Sequence, residues 1–246
     1  MSDPTDPPVN KGKIPGKSSG KRRNRTTRDV AVRVKTARAR TASSTKWLQR
    51  QLNDPFVREA ERLGYRSRAA FKLLGIHEKL HILKPGQIIV DLGAAPGGWA
   101  QVAIAHKAKK VVAIDLLPID PIPGVDFIQM DFMADDAPEK LKSLTGGPVD
   151  IVLSDMAPNT TGHQETDHLR IMGLVEAAYD FACHVLKPGG VFVSKVFQGG
   201  AQGELLAQMK RDFKTVRHMK PPASRKESSE QFLVATGFRR NGNDTV

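Results

Sequence analysis

The stretch VDLGAAPGGWAQ, residues 90–101, links a short apolar run to a segment with helical spacing. A turn from a strand to a helix needs only one glycine, whereas this corner holds three glycines and a proline. Because glycine has no Cβ atom, extra glycines allow another group to come very close to the backbone. The stretch therefore predicts a strand, a glycine-rich corner that approaches a ligand, and a helix beginning near Gly98.

Apolar runs alternate with helical segments on both sides of this corner. Strands are predicted at residues 87–93, 110–117, 125–132, 149–158 and 189–197. Two helices are predicted before the first strand, at residues 46–64 and 66–83, the second capped by Ser67. Strands that are rich in Val, Ile and Leu and alternate with helices indicate a parallel sheet covered on both faces.

The last two apolar runs, residues 214–221 and 230–238, follow each other without a helical segment between them. This succession favours an antiparallel pair at one edge of the sheet. The predicted fold is α/β, with a doubly wound, mostly parallel, Rossmann-like sheet and an antiparallel edge strand. We assign this domain to residues 47–246 and a basic N-terminal arm to residues 1–46.

Positive charge is concentrated in this arm. Residues 1–50 carry fourteen Lys or Arg and three Asp, so eleven of the twelve net positive charges lie there. Residues 1–46 are rich in Pro, Ser and Thr and poor in large apolar side chains, which predicts disorder in isolation. A flexible cationic arm suits a phosphate backbone, because neutralised phosphates release counterions. A solvated tail and a transit peptide are the alternatives.

The single cysteine, Cys183, excludes an intrachain disulfide and favours a reducing compartment. The seven histidines are scattered along the chain, and no metal site is predicted. No apolar run reaches the roughly 18 residues that a membrane span needs. We therefore expect a monomeric cytoplasmic protein without a membrane partner.

Acidic residues stand at the predicted carboxyl ends of three strands, as Asp115, Asp131 and Asp155. Ligands of doubly wound sheets bind at this edge, where a carboxylate can accept hydrogen bonds from both hydroxyls of a ribose. A nicotinamide dinucleotide prefers the pattern G-x-G-x-x-G, but the middle glycine is replaced here by Ala95. S-adenosylmethionine fits better, because its compact amino-acid end can lie against the corner. A glycine-rich turn without a ligand is the alternative.

Two lysines and a glutamate are further candidates for catalytic residues. Lys195 lies in an apolar strand, where burial is costly unless Asp155 on the neighbouring strand pairs with it. The alternative is a lysine near the strand end that reaches solvent. Lys72 belongs to the helix before the first strand, where a solvated surface lysine is the ordinary interpretation. Glu230 begins the last strand, and Glu227 competes with it.

Six segments together resemble the FtsJ-type family of ribosomal RNA 2′-O-methyltransferases, in order over about residues 60–238. They are RSRAAFKL, VDLGAAPGGWAQ, DLLPIDPIPGVDFIQMDF, SDMAPNTTG, LKPGGVFVSKVFQG and ASRKESSEQFLVATG. The resemblance implies that a catalytic Lys–Asp–Lys–Glu set falls on Lys72, Asp155, Lys195 and Glu230. It implies S-adenosylmethionine contacts at Gly97, Trp99, Asp115, Asp131 and Asp155.

The resemblance also implies a substrate, namely a uridine ribose in the A loop of 23S rRNA on the assembled large ribosomal subunit. Lys195 is then expected to contact the 2′-oxygen, either as a neutral base or as a cation that steadies the developing alkoxide. Arg66, Arg68 and the arm are the predicted phosphate contacts.

Three other functions compete with this one. A 2′-O-methyltransferase acting on tRNA or an mRNA cap shares the same four residues. A non-catalytic RNA-binding ribosome-assembly factor would have no need of a donor pocket. A nicotinamide-dependent oxidoreductase is disfavoured by Ala95 and by the basic charge.

Overall fold

The apolar runs of the sequence form the strands of one seven-stranded sheet. The structure is a computed structural model that describes residues 41–158, 163–197 and 203–239. The strands are β1 Ile88–Leu92, β2 Lys110–Asp115, β3 Val125–Gln129, β4 Val149–Ser154, β5 Leu186–Phe197, β6 Phe213–Met219 and β7 Glu230–Phe238. The helices are α1 Ala42–Leu52, α2 Pro55–Leu63, α3 Ala70–Leu80, α4 Gly98–Ala105, α5 Ala137–Thr145, α6 Gln164–Val185 and α7 Glu204–Asp212.

The strand order is β3-β2-β1-β4-β5-β7-β6. The first five strands in this order run parallel, whereas β7 is antiparallel to both of its neighbours, β5 and β6. The doubly wound sheet and the antiparallel pair at one edge are therefore confirmed. The order reverses between β1 and β4, so a crevice opens between the carboxyl ends of these two strands.

Helices cover both faces of the sheet. On one face, α5 and α6 bury Leu141 and Ile171 against β1, β2, β4 and β5. On the other face, α3 and α4 bury Leu73 and Trp99 against the central strands. Covering both faces removes the apolar side chains of the parallel strands from water, which is the main stabilising contribution to this fold.

The first predicted helix is divided in two. Asn53 and Asp54 interrupt it, and Pro55 occupies the first turn of α2, where its missing N–H costs nothing. The Asp54 carboxylate accepts a hydrogen bond from the Phe56 N–H at 3.0 Å and caps α2. The single helix expected over residues 46–64 was wrong, because this Asp-Pro pair is a start signal within an otherwise helical pattern.

Other boundaries also differ from the predicted ones. Helix α3 begins at Ala70 rather than at Ser67, whose hydroxyl accepts a 3.3 Å hydrogen bond from the Ala69 N–H in the preceding turn. Strand β3 ends at Gln129, two residues before Asp131. Helix α7 was not predicted.

The predicted division of the chain at residue 46 stays a prediction. Helix α1 begins at Ala42, and residues 1–40 of the predicted arm lie outside the described residues. Within the described ranges, no helix has both the length and the apolar character needed to cross a membrane.

Candidate active site

The glycine-rich corner and Asp155 meet at the point where the strand order reverses. Gly93 follows β1 and donates its N–H to the Ile114 carbonyl at 2.9 Å. Asp155 follows β4 and donates its N–H to the Leu92 carbonyl at 3.2 Å. These backbone hydrogen bonds fix both loops at one edge of the crevice.

The glycines of the corner are required by the packing of the chain itself. A Cβ atom on Gly93, whose φ is +75°, would lie 2.9 Å from the Met156 backbone. A Cβ atom on Gly97, whose φ is +105°, would lie 2.7 Å from a side-chain carbon of Ile122. At Gly98 the Ser67 hydroxyl would stand 2.7 Å away. Protein atoms therefore lie close to the corner on the side of the missing side chains, and the approach of a ligand to its backbone stays a prediction.

Trp99 ties the corner to the rest of the domain. Its indole Nε1 donates a 2.8 Å hydrogen bond to the Ala69 carbonyl, and its ring lies 5.5 Å from the Phe232 ring. Only 2 % of the residue is exposed. A ligand in the crevice can therefore reach the backbone of Trp99 more readily than its indole ring.

Asp115 ends β2 and holds two backbone groups of the crevice wall. Its carboxylate accepts hydrogen bonds from the N–H groups of Ala95 and Leu117, each at 2.8 Å. Asp131 is exposed and accepts a 2.9 Å hydrogen bond from the Met133 N–H. Asp115 is therefore the last residue of its strand, as predicted, whereas Asp131 lies two residues beyond the end of the neighbouring strand β3.

Four charged side chains meet beside the corner, and we call them the lysine–carboxylate cluster: Lys72, Asp155, Lys195 and Glu230. Lys195 Nζ lies 2.9 Å from Asp155 Oδ1 and 3.5 Å from Glu230 Oε2. Lys72 Nζ lies 2.7 Å from the same Glu230 oxygen and 3.6 Å from Asp155 Oδ2. Each lysine therefore contacts both carboxylates.

Burial and mutual charge decide the protonation of this cluster. The four side chains are only 11–14 % exposed. Burial alone would lower the pKa of Lys195, but the charges of Asp155 and Glu230 outweigh it and leave that pKa raised. Burial alone would raise the pKa of Glu230, but Lys72 and Lys195 leave it lowered. Lys195 is therefore an ammonium and Glu230 a carboxylate at neutral pH.

The last strand and the loop before it place Glu230. Ser224 Oγ donates a 2.8 Å hydrogen bond to Glu230 Oε1, and the Glu230 N–H donates to Ser228 Oγ at 3.1 Å. No ion pair joins Glu227 to either lysine within the described residues, so Glu230 is the glutamate of the cluster. Sequence reasoning missed Ser224 and Ser228, because nothing in the residues 221–229 sets the path of that loop.

Asp91 was also missed. It is the fourth of the five residues of β1, is 1 % exposed, and has no hydrogen bond to either carboxylate oxygen from the described residues. Burial first, and then the charges of Asp155 and Asp115, raise the pKa of Asp91 to about 8, against a smaller opposing effect of the Ala100 amide. An acidic residue inside an otherwise apolar strand was the signal that could have identified it.

Both arginines predicted to contact phosphate have partners within the domain. The Arg66 guanidinium donates hydrogen bonds to the carbonyls of Pro96, Asp120 and Pro121, at 2.6–3.3 Å. Arg68 is largely buried, pairs with Asp54 at 3.1 Å and donates to the Ala223 carbonyl. Asp54 is shared with Arg225, which lies 3.5 Å from it, and contact of either predicted arginine with phosphate stays a prediction.

In the part of the chain that the structure describes, no group of three or more His, Cys, Asp or Glu side chains is arranged to hold a metal ion.

Comparison with known proteins agrees with this geometry. The model of the FtsJ-like methyltransferase family matches residues 65–238. A protein of Paramagnetospirillum magneticum named ribosomal RNA large subunit methyltransferase E is 60 % identical over 92 % of this chain and 96 % of its own length. A protein of the same name from Xanthobacter autotrophicus is 61 % identical over 86 % of this chain and 85 % of its own length.

A solved structure is also similar. It is described as a ribosomal RNA methyltransferase from Plasmodium falciparum and has 34 % sequence identity and a TM-score of 0.63. The similarity covers 71 % of this chain and 98 % of that chain. The matched family region contains the corner and all four members of the lysine–carboxylate cluster.

Proposed function

The chain belongs to the FtsJ-like methyltransferase family, and from that premise we propose that it methylates the ribose 2′-hydroxyl of a uridine in 23S rRNA. The methyl donor is S-adenosylmethionine, and the target lies in the A loop of the large ribosomal subunit. The names of relatives about 60 % identical over most of their length support the class of RNA. The single observation that carries the reaction type is the lysine–carboxylate cluster beside the glycine-rich corner.

The residues around Asp115 fit a nucleoside. In the described part of the chain five large apolar side chains are exposed, and three of them, Leu116, Leu117 and Met133, adjoin Asp115 or Asp131 in sequence. Exposed apolar side chains beside carboxylates suit a flat base next to ribose hydroxyls. We assign the donor to the backbone of Gly97 and Trp99 and to the carboxylates of Asp115, Asp131 and Asp155.

Buried Asp91 is a second observation that supports a donor site beside the corner. Its two carboxylate oxygens lack hydrogen bonds within the described residues and lie in β1, directly before the corner. An unsatisfied buried carboxyl group is costly, and it is found most often beside functional sites. The bound donor supplies a methyl group on a positively charged sulfur, which leaves as a neutral thioether.

The protein must therefore orient the 2′-oxygen and remove its proton. We assign the proton to Lys195 Nζ: as the 2′-oxygen takes the methyl group, its hydroxyl proton would pass to the neutral lysine amine. The resting ammonium has to lose a proton first. A positive charge brought into the crevice lowers the pKa of a neighbouring lysine, so donor binding favours this loss.

The other members of the cluster orient Lys195. Asp155 contacts Lys195 Nζ directly, and Glu230 bridges the two lysines. Lys72 balances the second carboxylate, so the cluster carries no net charge while Lys195 is protonated. Holding two reactants in line contributes up to about 7–11 kcal/mol in favourable systems, and a fixed cluster is suited to that task.

Calorimetry with the donor tests the assignment. Lys195→Met is expected to bind S-adenosylmethionine as the wild type does and to transfer no methyl group to large-subunit RNA. Asp115→Ala is expected to bind the donor at least about tenfold more weakly, because a hydrogen-bonding carboxylate is lost. Asp126→Ala, which removes an exposed carboxylate from β3, is the matched control. Near-normal turnover of Lys195→Met, or tighter binding of NAD than of S-adenosylmethionine, would contradict the assignment.

A further inference from the structure

A second concave surface lies at the opposite edge of the sheet from the crevice. This cleft of about 600 Å³ is bordered by the amino ends of β1, β4 and β5 and by the β6–β7 pair. Asp150 lines it near the start of β4, whereas Asp155 follows the other end of the same strand. Five residues of extended chain span about 17 Å, so the cleft is separate from the lysine–carboxylate cluster.

The same tripeptide occurs twice in the walls of the cleft. Lys84-Pro85-Gly86 precedes β1, and Lys187-Pro188-Gly189 lies at the start of β5. Their glycines have nearly equal φ angles, +81° and +83°. Lys84 and Lys187 are both exposed. The repeat therefore contributes two ammonium groups to one concave surface.

Positive charge in the cleft is only partly compensated. Arg217 on the edge strand β6 adds a third cation. Asp150 is the one acidic residue that lines the cleft in the described chain, and it pairs with Lys187 while accepting the Ile88 N–H at 2.9 Å. Within the described ranges neither Lys84 nor Arg217 has a carboxylate partner. Two unpaired cations in a concave surface favour an anionic ligand.

The rest of the lining selects the class of anion. Thr215 and Thr236 offer hydroxyl groups, and none of the described lining residues is Phe, Tyr or Trp. Nucleic-acid bases are held mainly by aromatic stacking and by hydrogen bonds to their edges, whereas phosphates are held by cations and hydroxyls. We propose that this cleft binds phosphodiester groups of the substrate RNA, as a contact remote from the methylated ribose.

The inference rests on the proposed function only in taking RNA as the substrate. It also explains how a body with little net charge can hold a polyanion. Of the two predicted phosphate-binding arginines, Arg68 already pairs with Asp54. Lys84 and Arg217 supply cations that are free to meet phosphate.

A salt series on the full-length chain tests the cleft. The double variant Lys84→Ala/Arg217→Ala is compared with Lys140→Ala/Lys142→Ala, which removes two lysines from α5 outside the cleft. Binding to purified large-subunit RNA is measured from 50 to 300 mM salt. The cleft variant is expected to bind about tenfold more weakly at low salt, and the slope of log affinity against log salt is expected to fall by about 1.5.

The control variant is expected to change the affinity less than threefold. In multiple-turnover assays the cleft variant should raise KM for RNA and leave kcat and donor binding unchanged. An affinity and slope equal to those of the control would overturn the proposal. Wild-type binding of inorganic phosphate or AMP that the cleft variant loses, with RNA binding unchanged, would also overturn it in favour of a free-anion site.

RNA binding is measured without methyl transfer, so the proposed function and the proposed cleft can be refuted independently of each other. A wild-type chain that methylates no RNA but whose cleft variant loses RNA affinity would refute the proposed function and support the cleft. If the wild-type chain methylates 23S rRNA and the cleft variant keeps its RNA affinity, the proposed function is supported and the cleft is refuted. Equal thermal midpoints of both variants establish that neither result comes from unfolding.

Discussion

At the scale of single residues, pairing within the lysine–carboxylate cluster determines which proton can move. Two ammonium groups and two carboxylates balance each other in a partly buried space. Removing one member leaves an uncompensated charge, which is far more costly than removing a whole pair. The raised pKa of Lys195 means that the neutral amine, which the proposed proton transfer requires, is the minor form at neutral pH.

The rate of methyl transfer should therefore depend on pH with a defined sign. A base whose pKa lies above the assay pH becomes more abundant as pH rises, so single-turnover rates at saturating donor should increase close to tenfold per unit from pH 6 to 8. The increase should level off at the pKa that Lys195 has in the donor complex. A rate that is flat or falls over this range would show that Lys195 acts as an ammonium rather than as a base.

A variant of Ser224 tests whether the hydrogen bond to Glu230 positions the lysine–carboxylate cluster. Ser224→Ala removes the 2.8 Å hydrogen bond to Glu230, and this bond is one of the interactions that lower the pKa of Glu230. Without this donor the negative charge of Glu230 acts more strongly on the Lys195 ammonium and raises the pKa of Lys195 further. We therefore expect kcat at pH 7 to fall about tenfold, the size of one lost hydrogen bond to a charged group, and the acid limb of the pH–rate profile, which Lys195 sets, to move to higher pH. Ser143→Ala, on the surface of α5, is the control. A fall in kcat without movement of that limb would contradict a positioning role.

Sequence alone could anticipate this cluster only in part. Asp155 was predictable as a strand-end acid and Lys195 as a lysine that needs a partner. Lys72 and Glu230, 158 positions apart, have no local pattern that brings them together. They were identified through the family resemblance, since the meeting of α3 with β7 depends on the tertiary order of the strands.

At the scale of elements, the corner is a packed joint between β1, α4 and the segment after β4. Gly93 and Gly97 have positive φ values that L side chains rarely adopt, and both face protein atoms. The number of glycines was read correctly as a sign of close approach. The residues that approach the corner could not be predicted, because Met156 and Ile122 are far from it in sequence.

Gly93→Ala should therefore damage both stability and activity. Its Cβ would lie within 2.9 Å of the Met156 backbone, so Met156 and the adjacent Asp155 must move. We expect a loss of about 3 kcal/mol or more in the free energy of unfolding, measured in urea, with loss of methyl transfer. Gly64→Ala is a matched control, since Gly64 has a similar φ of +76° and open space around it. It should cost about 1–2 kcal/mol and leave activity intact; equal effects would contradict the packing argument.

Element boundaries show the same division between local and distant causes. The Asp54-Pro55 pair that divides α1 from α2 is a local signal, and it predicts the start of a new helix from the sequence alone. The insertion of β7 between β5 and β6 is a distant effect. Consecutive strands without a helix predicted their antiparallel pairing, but not which of the two would reach the edge.

At the scale of the whole molecule, charge is distributed very unevenly. Eleven of the twelve net positive charges lie in residues 1–50, most of which lie outside the described residues. Deleting residues 1–40 should therefore make RNA binding weaker and its salt dependence shallower, while kcat at saturating RNA stays unchanged. An unchanged salt slope, measured by filter binding to large-subunit RNA, would show that the arm does not contact phosphate.

The central claim is that the crevice delivers a methyl group to a ribose oxygen of large-subunit RNA. The most direct measurement incubates the purified protein with large ribosomal subunits and S-adenosylmethionine that carries a deuterated methyl group, followed by digestion to nucleosides and mass spectrometry. The account predicts label on the ribose of a single uridine with the wild type and none with Lys195→Met. Label on a base, or equal label with both proteins, would contradict it.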